Sequence, residues 1–102
     1  NSNEVLTKCI LALQDFFAIK NWQINEPIVL RDLYILLDAI EGVQTVKIVT
    51  ISNKVGTALG YSQYAYDTVG ATVSGVVYPS IDPMIFEVKF PNTDIKGRIT
   101  TL

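Results

Sequence analysis

The chain has 102 residues, 49% hydrophobic and 18% charged, with 8 basic against 10 acidic residues and a formal charge of −2. That length fits one domain with one core, because a chain of this size buries somewhat over roughly 60% of the surface it exposes when unfolded. Scattered Lys and Arg argue against a phosphate-neutralising stripe, one Cys and no His exclude an internal disulfide and the usual zinc sites, and no run of about 18 apolar residues is present to span a bilayer.

Residues 4–20, EVLTKCILALQDFFAIK, place Leu6, Cys9, Ile10, Leu13, Phe16 and Phe17 at helical spacing, with Glu4, Lys8 and Asp15 elsewhere on the wheel. An amphipathic helix is predicted, with Ser2 or Asn3 as its N-cap and Asn21 as its end; the stretch has none of the three zones of a secretory signal. Trp22 and Ile24 then share one side of a short extended segment, and Pro27 keeps the preceding residue out of a helix. Leu30, Leu33, Tyr34, Leu37 and Ile40 form a second stripe, predicting a helix over about residues 29–41 closed by a left-handed Gly42.

VQTVKIVTIS, residues 43–52, is rich in β-branched side chains and apolar on both faces: Val43, Val49 and Ile51 share one parity, Val46 and Ile48 the other. It reads as an interior strand. Residues 53–70, with three Gly and three Tyr, show no sustained period and read as a long loop. ATVSGVVY reads as a strand, PSIDPM as a turn and IFEVKF as a strand presenting Phe86, Val88 and Phe90 on one face and Glu87 and Lys89 on the other. The two strands are expected to pair as an antiparallel hairpin with Pro79 and Pro83 in its connection, and residues 98–102 to add a last short strand. The expected fold is α+β, a two-layer sandwich of two helices on a three- to four-stranded, mostly antiparallel or mixed sheet ending in a C-terminal β-hairpin.

Catalytic chemistry finds little to work with. Without His there is no Ser/His or Cys/His pair, and Cys9 sits in a helical apolar stripe as a small core residue would. Asp82, Glu87 and Asp94 are the carboxylates that could converge on a hard cation or an acid/base pair, but turn, strand-face and cap positions account for each. Gly56 and Gly60 lack the Lys and Ser/Thr of a phosphate-binding loop. No catalytic, metal or cofactor site is expected. Tyr61, Tyr64 and Tyr66 can form a lid on the core, a protein interface, or a platform for a sugar or nucleobase. With Val77, Tyr78, Ile85 and Glu87 of the terminal ribbon, whose sheet face or edge one helical layer cannot fully cover, they make the candidate protein interface. A small carbohydrate- or peptide-binding module using the Tyr-rich loop or an exposed sheet edge is the alternative.

Two stretches carry a family resemblance. PIVLRDLYILLDAIEGVQTVKIVTI, residues 27–51, is a helix, a GVxxV turn at Gly42, Val43 and Val46, and a strand. It is similar to the unit found in baseplate-wedge and baseplate J-like proteins of contractile-tailed bacteriophages. YPSIDPMIFEVKFPNTDIKGRI, residues 78–99, resembles the C-terminal ribbon of wedge subunits. Those subunits are much longer, so the resemblance implies that residues 1–102 are one C-terminal domain of a larger chain, in keeping with the start NSNEV without Met. It further implies a virion structural protein of the tail baseplate, assembled in the bacterial cytoplasm. Such a protein contacts copies of itself, as a homodimer or ring, and other tail or baseplate proteins, with no nucleic acid, membrane, catalysis or cofactor involved.

Overall fold

Helix α1 runs over Ser2–Phe16 in the computed structural model, which describes residues 2–100. Ser2 and Asn3 are helical residues of the first turn rather than caps, and Asn3 O accepts a hydrogen bond from Thr7 Oγ1 at 2.9 Å. The helix stops five residues before the predicted end. Ala18 N–H turns to Asp15 O at 3.2 Å and a single 3₁₀ turn follows at Ile19–Asn21. Two side chains then donate to carbonyls at the helix end: Asn21 Nδ2 to Asp15 O at 2.9 Å, beside the bond from Ala18, and Trp22 Nε1 to Phe16 O at 3.0 Å. With its indole N–H partnered, Trp22 can be buried, stacked on Phe17 at a centroid distance of 5.5 Å and edge-on to Phe16 at 5.9 Å.

Trp22 and Ile24 do not share a side, because the chain turns at Ile24 and Asn25: Glu26 N–H donates to Gln23 O at 3.2 Å, and Asn25 takes a left-handed φ of 65°. Trp22 faces the core and Ile24 solvent. After Pro27, strand β1 (Ile28–Val29) leads directly into helix α2 (Leu30–Asp38), whose Leu33 and Leu37 are buried. The chain leaves α2 through Ile40 and reaches Gly42 at φ 97°, the conformation predicted for it.

The stretch ATVSGVVY is a complete hairpin rather than one strand. Ser74 and Gly75 have φ of 51° and 78°, the pair of positive angles of a tight two-residue turn, between strand β2 (Thr72–Val73) and strand β3 (Val76–Val77). β3 is the centre of a three-stranded antiparallel sheet in the order β1-β3-β2, with Val77 opposite both Ile28 and Thr72. Leu30 N–H to Gly75 O and Tyr78 N–H to Ala71 O, at 2.9 and 3.1 Å, lengthen the two ladders by one bond each. With both edges of β3 taken, β3 has none left for IFEVKF, and the expected pairing of residues 71–78 with 85–90 is replaced by this internal hairpin. Residues 43–52 likewise form no strand, nor do residues 98–100; Thr101 and Leu102 lie outside the described residues. The long excursion 53–70 holds one 3₁₀ turn, Thr57–Leu59, and a one-turn helix α3 (Pro91–Asp94) starts on Pro91, where a missing N–H costs nothing.

The fold is therefore mixed α+β with a small sheet. Its buried centre is Trp22, Ile28, Leu33 and Val77, and Leu13, Phe16, Phe17, Leu30, Val49, Ile51 and Phe86 pack against it half-buried. Leu33 is 0% and Val77 1% exposed, so α2 and β3 meet at a fully dry contact.

Candidate protein-interaction surface

The tyrosines of the loop take three different places. Tyr61 O–H donates to Asp94 Oδ1 at 2.7 Å and its ring meets Phe90 edge-on at 5.3 Å. Tyr66 O–H donates to the carbonyl of Tyr78 at 2.6 Å, its N–H to Asn53 Oδ1 at 2.7 Å, and its ring lies 6.1 Å from that of Phe86. Tyr61 and Tyr66 thus pin the loop to the C-terminal ribbon, while Tyr64 stands 75% exposed. Among the ribbon residues, Val77 belongs to the core and is removed from the surface set. Tyr78 and Ile85 keep large exposed areas and Glu87 is exposed.

Asp94 is the hub of a polar knot that no local pattern announces. Besides Tyr61, it accepts from Lys54 Nζ at 3.3 Å and, through Oδ2, from Phe90 N–H at 3.2 Å. Desolvation works against its charge, but the donors from Tyr61, Phe90 and Lys54 outweigh it and hold the carboxyl below its ordinary range. The same hydrogen bond, with lesser help from desolvation and the nearby charge, pushes the Tyr61 phenol up. An aspartate kept ionised beside a phenol kept neutral is a fastening rather than a proton-transfer pair. The partners lie 33 and 40 positions away in the chain, so only tertiary folding assembles them. Beside the knot, Lys54, Val55, Leu59, Tyr61, Phe90 and Thr93 line a shallow hollow of about 520 Å³.

The other carboxylates stay apart from this knot: Asp82 is exposed in the bend before Pro83, where Ser80 Oγ donates to its carbonyl at 2.8 Å. Among the described residues, no three His, Cys, Asp or Glu side chains are placed to hold a metal ion. Burial pushes the Cys9 thiol up, away from the nucleophilic thiolate.

A wide open cleft of about 1810 Å³ lies between α1 and the segments 43–54, 84–89 and 94–100. Close contacts at two glycines seat α1 there: a Cβ on Gly42 would lie 2.6 Å from Val5 Cγ2, and one on Gly97 3.1 Å from Leu6 Cδ1. The walls carry strand-forming residues without ladders. Val43 N–H donates to Ile40 O and Val49 N–H to Tyr34 Oη, whereas among the described residues the amides of 44–48, 50–52, 85–89 and 95–100 donate to nothing within the chain. Ile48, Ile85 and Ile99 on these walls are exposed. No helix among the described residues is long and apolar enough to cross a membrane. Compared with known proteins, the chain matches no family model, no curated protein and no solved structure.

Proposed function

We propose that this chain is a structural assembly domain that associates with copies of itself and with other subunits of a larger protein structure. The single observation that carries the reading is its surplus surface. The chain exposes 7470 Å², whereas a folded monomer of its mass exposes about 5,700 Å². The surplus of roughly 1,700 Å² equals about two of the ~800 Å² patches that one partner contributes to a standard interface. It lies with β-branched segments whose amides have no partner in the chain, the composition that takes up strands or apolar faces from another chain. The radius of gyration, 14.3 Å against about 13 Å for a compact domain of this length, agrees.

The setting we assign is the tail baseplate of a contractile-tailed phage, on the resemblance of residues 27–51 and 78–99 to wedge subunits. There the domain joins neighbouring wedge components and supplies no chemistry. Sedimentation equilibrium over a wide concentration range tests the association directly. Reversible self-association is expected, and Ile48→Glu on the cleft wall should weaken it while leaving the circular dichroism spectrum unchanged. A strict monomer at the highest concentration would remove the self-association. Antibody labelling at the distal end of tails, in particles carrying this sequence, tests the setting separately.

A further inference from the structure

Residues 84–90 are held at both ends and open between them. At one end Asn25 N–H donates to Met84 O at 2.6 Å and Met84 N–H to Asn25 Oδ1 at 3.1 Å. At the other, Phe90 N–H donates to Asp94 Oδ2 at 3.2 Å, and Phe90 O accepts from Thr93 and Asp94 N–H at 2.9 and 2.7 Å. Between these clasps exposure alternates residue by residue: Ile85, Glu87 and Lys89 are exposed, Phe86 and Val88 half-buried. A period of two is that of an extended chain with one face against the protein.

In such a chain the N–H and C=O of residues 86, 88 and 90 point to one edge and those of 85, 87 and 89 to the other. The α3 turn occupies the first edge at Phe90. The second is free, since among the described residues the amides of Glu87 and Lys89 donate to nothing in the chain and neither side chain forms an ion pair.

Resting on the assembly function proposed above, we infer that this free edge pairs antiparallel with the same segment of a second copy, about a two-fold axis at Val88. Five two-fold registers, with axes at residues 85 to 89, bring the edge of residues 85, 87 and 89 against itself; those at 85 and 86 set Pro83, which has no N–H, against Glu87 or Lys89 and give neither charge an opposite partner. An axis at residue 87 sets Glu87 against Glu87, and one at residue 89 sets Lys89 against Lys89. Only the axis at Val88 sets Glu87 of each copy against Lys89 of the other, where opposite charges attract and like charges repel. Glu87 and Lys89 then exchange both backbone hydrogen bonds across each side of the axis. On the other face Phe86 of one copy lies opposite Phe90 of the other. Pro91, opposite Ile85, has no N–H to give and stops the ladder. The clasps at Met84 and Phe90 hold the segment ready, which lowers the ordering cost of pairing.

The test is a charge exchange read by sedimentation equilibrium, with circular dichroism confirming the fold of each variant. Glu87→Lys or Lys89→Glu alone places like charges across the axis twice and should weaken self-association at least about tenfold. An equimolar mixture of the two single variants places Lys against Glu again and should return the association to within about threefold of the wild type, as should the double variant E87K/K89E. Wild-type association left unchanged by every exchange would overturn this pairing while leaving the assembly function standing. A monomeric wild type would overturn both.

Discussion

The region around Leu33 and Val77 and the walls of the cleft are built from the same residue types, yet only the first forms a sheet. β1, β2 and β3 are two residues each; β2 is delivered to β3 by a two-residue turn, and β1, distant in the chain, is delivered by helix α2, which follows it directly and packs on β3. The Ser74–Gly75 turn returns β3 onto β2 at almost no loop-closure cost, and Ile28–Val29 closes the other edge. Residues 43–52 and 85–89 have equal or better β propensity but do not enter the sheet: β3 is already paired on both sides, and neither segment pairs with the outer edge of β1 or β2. β propensity marks a segment that fits a sheet; an unoccupied neighbouring edge decides whether it enters one.

The sharpest way to break that contrast is to make the same deletion on both sides of it. Leu33→Ala should cost about 3 kcal/mol, within the ~2–5 kcal/mol of fully buried leucines and isoleucines, and Ile28→Ala, at 3% exposure, a similar amount. Ile48→Ala, at 73% exposure, should stay within about 0.5 kcal/mol under monomeric conditions. Urea unfolding of the three variants checks this, and an equal cost for Ile28 and Ile48 would erase the distinction between the regions.

Glycine replacements give a middle-sized effect. Gly75→Ala has open space around it and should cost about 1 kcal/mol for its left-handed φ alone. Gly42→Ala adds a clash with Val5 to the same backbone cost and should exceed it by about 1 kcal/mol or more. Equal losses would mean that α1 is not seated on that turn.

The polar knot predicts a pH profile. Because the folded-state value of Asp94 lies below the ordinary 3.8, its contribution is present above that pH and is lost as the pH falls through the lowered value. Tyr61 is raised above the ordinary 10.0, so its contribution is present below pH 10 and is lost as the pH rises through the raised value. Thermal melts of Tyr61→Phe against pH should show a smaller alkaline loss and a smaller acid loss than the wild type. Identical profiles would show that the knot does not hold the loop to the ribbon. Smallest of all, Lys54→Ala should cost under about 1 kcal/mol, since Lys54 is a half-exposed partner of Asp94.

Much of what is local in this protein was legible in the chain itself. The stripe from Leu6 to Phe16, the stripe from Leu30 to Leu37 and the left-handed Gly42 follow from spacing and backbone sterics, which act over a few residues. Cys9 belonged to an apolar stripe from the start, and the acids of the ribbon read as turn and cap residues, as Asp94 is to Phe90 N–H. Only tertiary structure decided the rest. The clasp of Asn25 on Met84, the meeting of Tyr61, Lys54 and Asp94, and the burial of Val77 join residues tens of positions apart, for which no period or spacing exists. The pairing of β3 was decided there as well. An alternating apolar segment states which face it would bury but not which edge it will pair with; in the folded chain the Ser74–Gly75 turn sets Thr72–Val73 beside Val76–Val77, and β1 takes the other side.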